Sequence, residues 1–284
     1  TLSLHDALPI ALGIFPRALQ VAFLSALCTM APTRVCLAQA IDSVFVEVYH
    51  VQESGVPGEP PITTYRIYVD LAADHELQMV YGDDKHQLRL FTSTAFLNDT
   101  MNGAMYGHMI DGDHLNSSRV ALDSWLTIGA ASDAHWGVPR SLDEDGSILE
   151  CPPYPGKKGM QMQGPYATST PLNVTDGLLP HKPVSEIVNF NFNPTYLRKV
   201  RGNFIETTNG AWAVLGGTKG VTDRNLFLIA QLTTTGSLAF RLNLQIETPD
   251  HEPVKYVAGD PAPGEVLYQG LNYGSERPLT APSK

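Results

Sequence analysis

Cysteine is scarce in this chain of 284 residues, with three in all: Cys28, Cys36 and Cys151. A disulfide framework is therefore no basis for its stability, and an apolar core has to hold the fold together. Positive charge is scarce as well. Nineteen Lys and Arg stand against 29 Asp and Glu, a formal net charge of −10, and a surface of that sign repels phosphate backbones, which argues against nucleic acid as a partner. Beyond residue 40 no apolar run approaches the roughly 20 residues of a membrane-spanning helix, and no useful length keeps the i, i+3, i+4, i+7 spacing of an amphipathic helix. A G-x-S-x-G nucleophile elbow, an H-E-x-x-H zinc helix and a phosphate-cradling glycine loop are all missing. A cysteine-nucleophile enzyme is equally hard to read from Cys151, which sits in the Pro-rich stretch ECPPYPG.

The amino terminus reads as two discarded segments. Residues 1–10, TLSLHDALPI, resemble a translated DNA sequencing adapter, so His5 and Asp6 carry no functional weight. Residues 11–40 have the layout of a secretory signal peptide. Arg17 precedes an apolar stretch from Ala18 to Ala31, and Ala38-Gln39-Ala40 supplies the small residues a signal peptidase reads. Export with cleavage after Ala40 is the expectation. It leaves Cys151 as the single thiol of the mature chain, unpaired or joined to another chain.

What is present is strand signal almost everywhere. In TTYRIYVDL (63–71) Tyr65, Ile67 and Val69 share one face, and Arg66, Tyr68 and Asp70 the other. ELQMVYGDDKHQLRLFT (76–92) reads as strand, turn, strand, and VALDSWLTIG (120–129) as a strand ended by Gly129. NLFLIAQLTT and SLAFRLNLQIET, joined at Thr235-Gly236, read as a hairpin. With 24 Gly and 21 Pro set mainly between the apolar runs, the pattern predicts an all-β fold. An antiparallel, jelly-roll-like β-sandwich over residues 41–260 is expected, with few or no helices. A polar excursion spans 98–119. A stretch dense in Pro, Gly, Ser and Thr over 133–183 is either a long loop or a linker between two sandwiches. A Pro-rich tail covers 261–284.

Candidate chemistry is thin. His108, Asp111, Asp113 and His114, with Asp133 and His135 downstream, would bind a transition metal if that loop folded back on itself. Asp143 and Asp145, in DEDGS, suit a turn that presents oxygens to structural Ca²⁺. Asp123, Glu186 and Glu247 lie in strand-like segments that would supply glycosidase carboxylates. Of the three tryptophans, Trp125 and Trp212 alternate with apolar neighbours and read as core. Trp136, beside His135 in DAHWGVP, reads as a loop aromatic able to stack on a sugar. Asn98, Asn116 and Asn173 fit the N-glycosylation pattern, which matters only in a eukaryotic host.

At TTYRIYVDL, YGDDKHQL, VALDSWLTIG, GAWAVLGG and LIAQLTTTGSLAFRLNLQI the chain resembles a secreted all-β module of large surface and matrix proteins of marine bacteria and some algae. The likeness runs from about Val44 to Val257. It implies export and a structural or adhesive setting, and it brings no catalytic residues. Three readings follow. The first is a secreted, non-catalytic surface, matrix or carbohydrate-binding module steadied by Ca²⁺, its partners polysaccharide or other surface proteins. The second is a secreted polysaccharide-active enzyme. The third is a structural subunit that self-associates through sheet edges.

Overall fold

Residues 39–53, 56–116, 120–149, 172, 174–192, 197 and 202–274 are described by the computed structural model. The adapter-like start, the leader up to Ala38, Cys151, Asn173 and residues 275–284 lie outside them. The first sheet contains β1 (Ile41–Gln52), β2 (Ile62–Leu71), β11 (Asn225–Thr234) and β5 (Trp125–Leu126), in the order β1-β2-β11-β5 and antiparallel throughout. Alternation in β2 and β11 sends Ile67, Val69, Phe227 and Ile229 to one side, into the main core.

The second side of the sandwich is assembled from two ladders. One has the order β15-β14-β13-β3-β10-β8, from β15 (Val266–Leu267), β14 (Pro253–Val257), β13 (Asn243–Glu247), β3 (Glu76–Gly82), β10 (Gly210–Thr218) and β8 (Val188–Phe190). The other is β16-β12-β4-β9, from β16 (Asn272–Tyr273), β12 (Leu238–Arg241), β4 (Leu88–Thr92) and β9 (Phe204–Thr207). Their registers join them into one broken surface. Arg241 pairs with Arg89 and Leu244 with Val80, so the chain from 238 to 247 runs first along β4 and then along β3. The 76–92 segment therefore holds the expected strand, turn and strand, with the turn at 83–86 leaving β3 and β4 to face successive parts of one partner segment. Asn243 stitches the break, donating to the carbonyls of Tyr81 and His86 at 3.1 and 3.0 Å. Gly82 permits it, since a Cβ there would lie 2.1 Å from the Thr207 carbonyl oxygen.

The expected hairpin at Thr235-Gly236 is corrected. β11 belongs to the first sheet and β12 to the second, so residues 235–237 arch from one sheet to the other. The alternation of Phe240, Leu242, Leu244 and Ile246 is real, and all four are buried against the first sheet's apolar face. Only the identity of the partner strands differs. Trp212 closes this core and donates its indole N–H to the Thr127 carbonyl at 3.0 Å. The fold is thus an all-β antiparallel sandwich, with β14–β15 the one parallel pair among its named strands. Among the described residues no helix is long and apolar enough to cross a membrane.

A third layer covers the outer face of the first sheet. The excursion at 98–116 and the described parts of 133–183 pack there in short 3-10 turns and in the pair β6 (His135–Gly137) and β7 (Leu178–Pro180). VALDSWLTIG is divided: its first residues form a 3-10 turn at Val120–Leu122 in this layer, and Trp125–Leu126 is the strand β5 of the first sheet. Trp125, Leu115, Leu122 and Leu178 meet Tyr49, Tyr68, Leu226 and Leu228 in a second apolar cluster. Arg66, Tyr68 and Asp70 therefore point into protein, where one wet face would have sufficed. Arg66 is 1 % exposed. Its guanidinium donates to Gln231 Oε1 at 2.8 Å and to the Gly177 carbonyl at 3.1 Å, and lies 3.5 Å from the centre of the Tyr49 ring. Burial pushes the Tyr49 and Tyr68 hydroxyls up despite that positive charge, so both stay protonated. Arg66→Ala leaves buried acceptors without a donor, and the expected cost is about 3 kcal/mol or more, read as a fall in unfolding free energy by urea titration. A loss below about 1 kcal/mol would mean that the outer layer holds without it.

Candidate functional site

Trp136 is not a loop platform. It sits in β6 at 1 % exposure, its ring laid over Gly129 and edge-on to Phe227 and His181 at 6.0 and 5.8 Å. A Cβ at residue 129 would be 2.0 Å from the indole, so that glycine makes room for the ring. No face of Trp136 is open to a sugar, which corrects the expectation. His135 is half-buried and shares a 2.7 Å hydrogen bond between its Nδ1 and Ser132 Oγ. Burial holds its pKa below the usual histidine range.

The His and Asp loop does fold back as imagined. Asp133 donates its N–H to the Ile110 carbonyl at 2.8 Å, and its Oδ1 accepts the Gly112 N–H at 2.9 Å, which brings 108–114 against 133–135. The side chains nonetheless diverge. His108 stacks on Tyr106, His114 approaches Asp111 only to 3.9 Å, and Asp111 Oδ1 accepts the Asp113 N–H. Among the described residues no three His, Cys, Asp or Glu side chains are grouped to hold a metal, so His108, Asp111, Asp113 and His114 do not assemble as a site.

Asp143 and Asp145 part company too. Asp145 is exposed, whereas Asp143 is buried and its oxygens accept the N–H groups of Gly146, Asp176 and Gly177 at 2.8 to 2.9 Å. Asp176 beside it accepts the N–H groups of Ile148, Leu149 and Leu178. Burial, reinforced by the Asp143 charge, raises its carboxyl to about 6. Asp143 thus ties the 143–146 turn to residues 176 and 177 through backbone N–H groups.

Of the three strand-borne acids, Asp123 is 2 % exposed beneath the outer layer and Glu186 is exposed just before β8. Glu247 lines a cleft. That cleft, of about 270 Å³, is bounded by Asp74, Glu76, Lys219, Glu247, Thr248, Pro249 and His251, at the end of the second sheet where β3 begins and β13 stops. Its polar groups are wired together. Gln245 donates to Gln78 Oε1 at 2.7 Å, Gln78 donates to Glu247 Oε2 at 2.5 Å, and His251 Nδ1 bonds Glu247 Oε1 at 2.8 Å. That hydrogen bond and the charge of Glu247 raise the His251 pKa. Lys219 pairs with Asp74 at 3.3 Å, and the β3–β13 register sets Glu76 directly opposite Glu247.

Asp74 and His251 both have φ of 63°, a left-handed conformation that Asp and His tolerate better than most residues and that clusters at functional sites. The sequence carries one trace of this: Asp-His-Glu occurs at 74–76 and again at 250–252, each at a strand end. A scan of protein-family models found no match to the chain, and searches of curated proteins and of solved structures found none either. What the cleft can do thus rests on its own geometry.

Asp143→Ala removes three buried, charge-assisted bonds and is expected to cost about 3 kcal/mol. The loss measured by thermal unfolding should be equal in EDTA and in Ca²⁺; a deficit seen only with Ca²⁺ would make Asp143 a cation ligand. Burial, helped by the neighbouring Asp99 charge and partly offset by backbone N–H donors, holds the Asp123 carboxyl well above the usual carboxylate range. A raised folded-state pKa favours folding through the protonated form, fully in acid and progressively less as pH rises through that pKa. Asp123→Asn is therefore expected to be more stable than the parent at pH 8, with the gap closing as pH is lowered. Parallel pH–Tm curves for the two proteins would contradict this.

Proposed function

We propose that the chain is an exported, non-catalytic module of a cell surface or extracellular matrix, and that it binds a hydroxyl-rich polysaccharide at the Glu247 cleft. The observation that carries this reading is the fixed array Gln245, Gln78, Glu247 and His251 at the ends of two adjacent inner strands, flanked by Asp74, Glu76 and Lys219. A sugar hydroxyl both donates and accepts, and it is held best by acceptors and donors already locked at strand spacing. The leader-like stretch at 11–40 supports export, and the resemblance to matrix modules supports the setting. Calcium near Asp145 would steady the outer layer without entering the cleft.

A second reading, a polysaccharide-active enzyme, is favoured by Glu76 facing Glu247. Opposed residues on adjacent strands have Cβ atoms about 5 Å apart, a range compatible with the paired carboxyl groups of a retaining glycosidase. The firm hold of Gln78 and His251 on both Glu247 oxygens suits an ionised acceptor better than a proton donor, which puts binding first.

Native electrophoresis of the chain through gels cast with neutral, acidic and amino polysaccharides separates the readings. Retardation over intact polymer is expected for at least one polysaccharide, and Glu247→Ala should weaken it about tenfold or more with the unfolding midpoint kept. Cleared tracks would promote the enzyme, and free migration in every gel would sink both.

A further inference from the structure

A second cleft lies on the other side of the turn at residues 219–224. Lys219 faces the Glu247 cleft, whereas Val221, Thr222, Asp223 and Arg224 join Leu142, Glu144 and Leu179 around a hollow of about 320 Å³. We propose that this hollow is a docking site for a lysine side chain of a basic partner protein. The proposal stands apart from the polysaccharide reading.

The lining selects the ligand. Leu142, Leu179 and Val221 are half-buried and offer an apolar floor, suited to the methylene stem of a lysine. Glu144 and Asp223 stand exposed on the rim. Among the described residues neither has a hydrogen-bond or ion-pair partner, so two carboxylates are free to meet an ammonium. Arg224 does not oppose it, because its guanidinium is engaged with the carboxylate of Asp70.

The walls are set in advance. Thr222 Oγ1 donates to the Arg224 carbonyl, Asn225 Oδ1 accepts the Gly220 N–H at 2.7 Å, and Asn225 Nδ2 donates to the carbonyls of Ala72 and His75. The turn is thereby fastened at both ends, and little ordering is left for binding to supply. Charge points the same way at long range. A net −10 draws basic partners towards the molecule and repels acidic ones. A neutral glycan gains no ion pair from the two carboxylates, so the charge favours a cationic ligand.

The probe is N-acetyl-lysine N-methylamide, titrated into the ¹⁵N-labelled chain while the amides of Leu142, Glu144, Leu179 and Val221 to Arg224 are followed. Its norleucine counterpart carries the stem without the charge, and ammonium chloride the charge without the stem. Saturable shifts are expected with the lysine probe alone. The double variant Glu144→Gln, Asp223→Asn should weaken them about three- to tenfold, with amides around Glu247 unmoved. Both substitutions are on the exposed rim, so folding should be kept. Equal shifts with either comparator, no shift up to the solubility limit, or a double variant that binds as the parent does would each overturn the proposal. So would maltohexaose shifting the same amides, since the hollow would then belong to a glycan surface.

Discussion

The guanidinium of Arg66 is the contact on which the arrangement of layers depends. Backbone that runs across a sheet face without joining the sheet brings carbonyl oxygens into a dry space, where each needs a donor. Arginine carries five N–H donors in a rigid fork, and here that fork reaches Gln231 in the neighbouring strand and the Gly177 carbonyl in the covering layer. Gln231 passes the contact on, donating to the carbonyls of Ala121 and Asp123 at 3.1 and 2.7 Å. One side chain from the middle of β2 therefore fastens both loop excursions. Strands β2 and β11 are buried on both faces over most of their length as a consequence, and the outer surface of the second sheet is left to carry the polar array around Glu247.

That division of labour explains where the cleft lies. Its side chains come from the ends of β3 and β13, strands held by neighbours on both sides, so their spacing is fixed by the ladder more than by loop packing. The two left-handed residues, Asp74 and His251, turn the chain out of the sheet on either side of the hollow. Lys219 and the turn that follows form the rim, and the same turn walls the second hollow.

Strand positions were legible in the sequence because alternation is a local property: β2, β11 and the 238–247 segment lie where the pattern puts them. Partners were not legible. A Thr-Gly step between two alternating runs fits an arch between sheets as well as a hairpin, and nothing within ten residues distinguishes them. Arg66 and Tyr68 gave no sign of burial, since the layer that covers them comes from residues as far off as Ile110, Leu122 and Leu178. Trp136 misled because Gly and Pro nearby suggest an exposed turn, while the decisive fact is the missing Cβ of Gly129 under its ring. The cleft drew residues from 74–76, 219 and 247–251, so spacing along the chain hid all but Glu247. The twin Asp-His-Glu strings were its sole advertisement.

The arch at 235–237 has a consequence for the order of assembly. β11 enters the first sheet between β2 and β5, β12 enters the second between β4 and β16, and β13 enters it between β3 and β14. All three lie in the final quarter of the chain, so neither sheet is complete until residues beyond 225 have been made. The β1–β2 hairpin can form early; the main core cannot close around it. Pairings between residues more than a hundred positions apart are slow to form, and the early strands stay unsatisfied for that interval. In a chain of this topology the main core closes only when its last strands have paired.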